Sequence, residues 1–303
     1  MAVPLRDDAH PTIIPWVTWG LMLVCVIVYL FLQPRPMQTG SGHTIEQRTN
    51  SYFEVEHFVD RWGMVPCEIT HDRSIRDGAA CNGYPVDDPE AYPPKHVLLT
   101  LLTSIFLHGN LTHIAGNLLF LWVFGRAVEQ RVGHPGFLLL YLAGGVVASL
   151  GLVAVRPESM DPLVGASGAI AAVMGAYLVF QPRRRVLSFV FSTGVQVVYL
   201  PAWAMLGLFF VTQFFTPGSS RVAWQAHVAG MVFGALVGLV LLRVHRVRGE
   251  EPLLLTGSRV QPAPAGAGAA PTASAWPMSP PATPPALPEP APGWPPPPAG
   301  SAF

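Results

Sequence analysis

Four polar side chains within the long apolar stretches of this 303-residue chain are of types that do chemistry together. They are one serine, two histidines and one asparagine: Ser167, His227, His113 and Asn117. A serine hydroxyl becomes an effective nucleophile when a base within hydrogen-bond distance removes its proton, and histidine is the commonest base. His113 and Asn117 are four residues apart, so a helix presents both on one face as hydrogen-bond donors. The residue types therefore predict nucleophilic catalysis with stabilisation of an oxyanion.

The residues around the serine fit this role. Glycines on both sides of it, in Gly165-Ala166-Ser167-Gly168, allow a tight turn into a helix and a close approach of substrate backbone. At a helix N-terminus, free N–H groups stabilise a negatively charged oxygen. The alternative is a small-residue packing surface between membrane helices. Gly230, three residues after His227, begins a similar small-residue spacing, which would bring the histidine helix against a close neighbour.

The depth of these residues in their apolar segments is comparable. Ser167 and His227 each precede a basic residue at the end of their segment by 16 positions, which is about 24 Å along a helix. The same count gives about 20 Å for His113 and about 14 Å for Asn117. Segments that are far apart in sequence thus place their polar groups in one layer.

Composition assigns these segments to a membrane. Half of the chain is hydrophobic and 12% is charged, against roughly a quarter in ordinary globular proteins. Between positions 91 and 249 the carboxylates are Glu129, Glu158 and Asp161 alone. The net charge of zero implies no nucleic-acid-binding face. No carboxylate or cysteine accompanies His108 and His113 at ligand spacing, so we expect neither a metal nor a cofactor.

The apolar runs predict an all-α polytopic membrane protein with six transmembrane helices, since each is near the length that crosses a bilayer. They lie at 13–32, 111–124, 137–155, 166–180, 187–215 and 222–242. This organises the chain into a cytoplasmic segment at 1–12, a membrane domain at 13–247 and a disordered, Pro- and Ala-rich cytoplasmic tail at 248–303. Residues 33–95 form a long external loop. Nine basic residues on one side against four on the other place both termini in the cytoplasm, with the protein in the cell membrane.

Two of the three cysteines, Cys67 and Cys81, lie 14 residues apart in the external loop. Outside the cell thiols can oxidise, and closing a loop of this size stabilises a chain by roughly 3 kcal/mol. We therefore expect a disulfide, with two free thiols as the alternative. Cys25, inside the first apolar run, is expected to be a packing residue.

Three motifs together resemble the signatures of the rhomboid intramembrane serine proteases of bacteria. They are the segment from His108 to Asn117, the Gly165–Gly168 segment, and the segment from Ala226 to Gly230, in this order. The resemblance implies a six-helix core and hydrolysis of peptide bonds in or near the helices of single-pass membrane proteins. It implies Ser167 as the nucleophile and His227 as the base. His113, Asn117 and the Ser167 backbone N–H then form the oxyanion hole, and His108 anchors a loop.

The sequence departs from the rhomboid pattern at two places. Many members have Trp-Arg in the external loop where this chain has Leu99-Thr100, and an aromatic residue one turn after the serine where this chain has Ala171. A different group must therefore restrain the His227 ring. Without a carboxylate in the serine or histidine span, we expect a dyad whose imidazole is held by packing or by a neutral hydrogen bond.

Two other functions are alternatives to a protease. A catalytically silent relative would bind membrane clients without cutting them, but such proteins usually lack the serine or the histidine. A transporter would need charged or polar groups at the bilayer midplane and a related second half, and the sequence shows neither.

Overall fold

The computed structural model describes residues 2–7, 13–35, 45–78, 80–81, 83, 89–191, 195–215 and 223–247. The chain divides into two units, Met1–Arg259 and Val260–Phe303, and every described residue belongs to the first. The tail predicted at 248–303 lies outside the described residues.

Helices make up most of the described chain. They are α1 (Trp16–Ile27), α2 (Ile45–Trp62), α3 (Pro66–His71), α4 (Thr100–Thr103), α5 (Leu111–Phe120), α6 (Arg126–Val155), α7 (Ser167–Phe180), α8 (Ala202–Gln213) and α9 (Trp224–Val247). One π-helical turn extends α1 to Leu32, and another joins α5 to α6. Within the part of the chain that the structure describes, two helical stretches are long and apolar enough to cross a membrane: Leu111–Val155 and Trp224–Val244. Four shorter apolar helices accompany them.

The 45-residue helical stretch Leu111–Val155 is broken at Gly133. Its φ of 74° and ψ of 167° are not helical, and only glycine adopts such a φ without strain. Pro135 follows where a new helix begins, a position at which its missing N–H costs nothing. The break separates the two apolar runs that the sequence indicates at 111–124 and 137–155.

A three-stranded antiparallel sheet corrects the all-α prediction. It consists of β1 (Ala2–Asp7), β2 (Arg185–Phe191) and β3 (Val195–Pro201), in the order β1-β2-β3. The run at 187–215, predicted as one helix, therefore begins as two strands and becomes helical only at Ala202. Pro201 is the reason for this boundary, since proline inside a helix removes a hydrogen bond and clashes with the preceding turn.

Strand β1 lies within the segment predicted at 1–12 and joins it to the sheet. It pairs with β2 in a register that sets Val3 opposite Phe189. The buried Asp7 carboxylate at its end accepts a hydrogen bond of 3.2 Å from the Tyr177 hydroxyl on α7. Strand β1 thus lies in the first unit, and its last residue contacts the helix that begins with Ser167.

Helix α7 lies at the centre of the bundle. Its residues from Gly168 to Tyr177 are all buried, and it packs between α6 and α9. A helix that is apolar on every side is stable only when it is surrounded. Large exposed apolar side chains lie instead on the outer helices, such as Leu139 on α6 and Leu236 on α9. Such surfaces suit a lipid environment.

The long loop predicted outside the membrane contains a small core of its own. Val65, Cys67, Ile75 and Cys81 are buried together, and a disulfide joins the two cysteines. The buried Glu68 carboxylate forms an ion pair with the ammonium of Lys95 and accepts a hydrogen bond from the Ile75 N–H. An isolated antiparallel β-bridge between Met64 and Leu163 joins this loop to the segment that precedes Ser167.

Thiol alkylation under denaturing conditions is expected to label one cysteine before reduction and three after it. Cys25 is the free thiol, and the Cys67–Cys81 bridge protects the other two. Peptide mapping of the labelled residues measures this directly. Labelling of all three cysteines before reduction would contradict both the bridge and the external placement of the loop.

The buried Glu129 carboxylate accepts the hydrogen bonds of the first turn of α1. Pro15 at the N-cap makes no capping bond, so the first N–H groups of α1 need another acceptor. Glu129 accepts hydrogen bonds from the N–H groups of Val17 and Thr18 at 2.9 and 2.8 Å, and from the Thr18 hydroxyl at 2.6 Å. His134 contacts the same carboxylate at 2.5 Å. Because α6 thereby supplies the cap of α1, the two helices are held in fixed relative positions.

Glu129→Ala is expected to lower the free energy of unfolding by roughly 3 kcal/mol, because it leaves buried donors without an acceptor. The thermal midpoint of the detergent-solubilised protein measures the loss. Glu54→Ala, which removes an exposed carboxylate on α2, is the matched control. Equal midpoints for the two variants would refute the capping role.

Candidate active site

Ser167 is the first residue of α7, and Gly165 shapes the turn that leads into it. Gly165 has a φ of 126°, which side-chain-bearing residues rarely adopt. A Cβ atom there would also lie 2.7 Å from Cε1 of His113. The Gly165 N–H donates to the Ser104 carbonyl at 2.9 Å, which fixes the turn from behind. Ser167 therefore stands at a helix N-terminus, where backbone N–H groups are free to bind an oxyanion.

His227 lies on α9 with its Nε2 atom 2.8 Å from Oγ of Ser167. The close packing of α7 on α9 makes this contact possible. A Cβ atom at Gly230 would overlap the carbonyl of Gly168, and one at Gly234 would overlap the carbonyl of Ala172. Both side chains of the pair are half-buried. The distance suits proton transfer from the hydroxyl to the imidazole.

His113 and Asn117 border the same turn from α5. The Asn110 side chain caps this helix by accepting from the His113 N–H at 2.8 Å. His113 Nε2 lies 2.8 Å, and Asn117 Nδ2 3.7 Å, from the point where a Cβ atom of Gly165 would stand. The Asn117 nitrogen is buried and has no hydrogen-bond partner among the described residues. It is a donor available to an oxygen beside Ser167.

The tautomer of His113 also makes it a donor toward this point. Its Nδ1 accepts a hydrogen bond of 3.4 Å from the Gly109 N–H. In a neutral imidazole the other nitrogen then carries the proton. The Nε2–H of His113 is thus directed at the backbone next to Ser167.

His108 is fully buried in the loop ahead of α5. Its ring Nδ1 lies 3.2 Å from the Phe106 carbonyl. Gln33, at the end of α1, donates to the His108 carbonyl at 2.7 Å and accepts from the His108 N–H at 3.2 Å. Nearby, the Thr103 hydroxyl donates to the Trp62 carbonyl at 2.7 Å. These contacts hold the loop in a chain that has Leu99-Thr100 instead of Trp-Arg.

Two residues of α8 that were not predicted from the sequence lie beside His227. Gln213 Oε1 lies 2.7 Å from Nδ1 of His227, and the Phe209 ring centroid lies 6.2 Å from the imidazole centroid. Ala171 is buried and offers no ring for stacking. A signal for Gln213 existed, since a glutamine inside an apolar run needs a partner. It lay in the run predicted as one long helix, where its neighbours could not be assigned.

The described carboxylates do not reach the Ser167–His227 pair. Glu158 lies 3.3 Å from His71, and Asp161 contacts Ser159, both in the segment ahead of the serine. No described carboxylate forms an ion pair with His227. The arrangement is a serine with a neutral base and two side-chain donors, and it is suited to attack on a carbonyl carbon.

Comparison with known proteins identifies relatives of this chain. The family model of the rhomboid domain matches residues 95–244. Rhomboid protease GluP of Bacillus subtilis (strain 168) is 34% identical over 142 residues, which cover 46% of this chain and 25% of GluP. YdcA, another protein of that strain named as a rhomboid, is 30% identical over 144 residues, or 47% of this chain and 67% of YdcA.

A plant relative extends the similarity beyond bacteria. RHOMBOID-like protein 12, mitochondrial, of Arabidopsis thaliana is 31% identical over 159 residues, which cover 46% of this chain and 45% of that protein. The chain thus spans a quarter of GluP and less than half of the plant protein.

Proposed function

This chain belongs to the rhomboid family, and on that premise we propose that it is an intramembrane serine endopeptidase. It hydrolyses peptide bonds in or near the transmembrane helices of single-pass membrane proteins. The observation that carries the proposal is the 2.8 Å contact between Ser167 Oγ and His227 Nε2 beside two donors on α5. Nucleophile, base and oxyanion donors are the three components that acyl transfer requires.

In the first half of the proposed reaction, His227 Nε2 takes the hydroxyl proton while Ser167 Oγ bonds to the carbonyl carbon of the substrate. The oxyanion that forms accepts hydrogen bonds from the Ser167 N–H, His113 Nε2–H and Asn117 Nδ2–H. The imidazolium then gives its proton to the leaving amine nitrogen as the peptide bond breaks. The product of this half is an ester on Ser167.

Hydrolysis of the ester repeats these steps with water. His227 accepts a proton from a water molecule while the water oxygen attacks the ester carbon. His227 then returns this proton to the Ser167 oxygen, which leaves as the hydroxyl. No cofactor is needed for either half. The half-burial of Ser167 and His227 supports access of water to the pair.

We further propose a six-helix transmembrane core formed by α1, α5, the part of α6 after Gly133, α7, α8 and α9. Helices α1, α5, α7 and α8 are each shorter than the roughly 20 residues that cross a bilayer. Of these, α7 packs between the longer helices α6 and α9. The excess of arginine at one side supports a cytoplasmic location of both termini in a plasma membrane. The lipid bilayer and membrane-protein substrates are the proposed partners.

Cleavage in proteoliposomes tests the function. The purified chain is reconstituted with a panel of single-pass model proteins, and new termini are located by mass spectrometry. We expect at least one cut in or near a transmembrane segment. Cross-linking of substrates without any cut, and without reaction of Ser167 with a fluorophosphonate, would instead support a catalytically silent client-binding protein.

A further inference from the structure

The imidazole of His227 has a second polar contact besides Ser167. Gln213, the last residue of α8, places its Oε1 atom 2.7 Å from His227 Nδ1. The Gln213 side chain is buried, with 7% of its surface exposed. A buried amide is retained at such a place only when its polar atoms are paired.

The orientation of the Gln213 amide follows from its other hydrogen bond. Its Nε2 donates to the Phe209 carbonyl at 3.0 Å, one helical turn earlier on α8. A carbonyl only accepts, so the nitrogen must face Phe209 and the oxygen must face His227. The atom next to the imidazole is therefore an acceptor.

This acceptor selects the imidazole tautomer. Nδ1 must carry a proton in order to donate to Oε1 of Gln213, so the neutral ring has its lone pair at Nε2. Nε2 is the atom 2.8 Å from Ser167 Oγ. The two hydrogen bonds agree with each other: the Gln213 oxygen accepts from a proton on Nδ1, which leaves the lone pair at Nε2 free to accept the serine proton.

The Phe209 ring, one helical turn before Gln213 on α8, contacts the imidazole from another direction. Its plane is tilted by 37° from that of His227, at a centroid distance of 6.2 Å. Phe209 in turn packs on Phe120 of α5, with ring centroids 5.9 Å apart. The end of α8 thus supplies a ring beside the imidazole, which Ala171 on α7 does not, together with the Gln213 hydrogen bond.

We propose that Gln213 is the positioning residue of this site, holding His227 in the Nδ1–H tautomer and in line with Ser167. This rests on the proposed function and adds the third member of a Ser–His–Gln arrangement. In soluble serine proteases a buried carboxylate holds the histidine, and the wrong tautomer there lowers turnover by about 10⁴. A neutral amide fixes the tautomer without adding charge to an apolar bundle, where a carboxylate would be costly.

Two substitutions distinguish a Gln213 that positions the His227 imidazole from one that only fills space in the bundle. Gln213→Met keeps the length of the side chain but removes the acceptor, and we expect kcat to fall by about 10- to 100-fold with KM nearly unchanged. Gln213→Glu keeps an acceptor, so much of the activity should remain. Its carboxylate stabilises the protonated imidazole, so the acid limb of the pH–rate profile should move to higher pH by about one unit.

Two other groups that can exchange protons lie near His227. His113 on α5 is close enough to interact electrostatically with it, and Ser167 on α7 contacts it directly. Neither is altered in the Gln213 variants, so a shift between variants reports on position 213. Leu206→Met, at another fully buried position of α8, is the matched control and should leave both kcat and the profile unchanged.

The rate of fluorophosphonate reaction at Ser167 and the rate of peptide cleavage are measured across pH for each variant, with a thermal midpoint for folding. A wild-type protein without reaction at Ser167 would overturn the proposed function itself. A reactive wild type with a Gln213→Met variant of equal rate and equal profile would overturn the role of Gln213 alone. If Gln213→Met does not fold, the Gln213→Glu profile decides: a shift supports positioning, and an unshifted profile overturns it.

Discussion

Ser167→Ala is expected to abolish substrate cleavage, with a loss of at least about 10⁴-fold in turnover. Without the hydroxyl no acyl-enzyme can form, and the oxyanion donors alone leave only weak catalysis. His227→Ala should cost a similar factor, because the pair acts as a unit and its effects are not additive. The measurement is the rate of appearance of the cut fragment in proteoliposomes.

A buried serine outside the site provides the control. Ser188 in β2 is fully buried and donates to the Val186 carbonyl at 3.3 Å. Ser188→Ala should retain turnover within about threefold of wild type, the range expected when no transition-state contact is lost. Undiminished cleavage by purified Ser167→Ala protein would refute the protease function.

Asn117→Ala is expected to lower kcat by about 10²–10³, the usual cost of one oxyanion donor. The buried Nδ2 has no other partner among the described residues, so its removal should leave stability almost unchanged. KM should also remain close to wild type, since the contact strengthens only when the oxyanion forms. Steady-state kinetics with the model substrate measure both parameters.

The cap of the same helix gives a contrasting result. Asn110→Ala removes the acceptor for the His113 N–H, and should lower stability by about 1 kcal/mol. Its effect on kcat should be smaller than that of Asn117→Ala. The reverse ranking, with stability lost at Asn117 and turnover lost at Asn110, would show that Asn117 is structural.

The family was predictable from the sequence because its signatures are local, and the comparisons confirmed it. The meeting of α7 and α9 also has a local cause. Small residues such as Gly230 and Gly234 let two helix backbones touch, and that spacing is visible in the sequence before any fold is known.

The strands at 185–191 and 195–201 were not predicted because the mean hydropathy of a segment is the same whether its apolar residues follow the period of a helix or that of a strand. Leu187 and Phe189 are as apolar as a membrane helix requires, while the buried Val186 and Ser188 alternate with them as a strand requires. Pro201 and the valine-rich stretch before it were the signals that favour strands. The length of the run, well above 20 residues, also indicated two elements instead of one.

The partner of His227 could not be derived from the sequence for a different reason. The contact of His227 with Gln213 depends on the residue at which α8 ends and on how α8 packs against α9. Both are properties of the tertiary structure. The sequence predicted that a neutral group or packing must hold the ring. Choosing Gln213 required knowing that the apolar run containing it becomes helical only after Pro201.

The pairing of β1 with β2 has a consequence for biosynthesis. Val3 and Phe189 are partners in the sheet, yet the ribosome makes them 186 residues apart. At a synthesis rate of about 5–20 residues per second, β1 waits roughly 10–40 s for its neighbour. During that interval the hydrogen-bonding edge of β1 lacks its native partner, and unpaired edges favour aggregation. The packing of Asp7 against Tyr177 is likewise a late event, completed only after the serine helix has been translated.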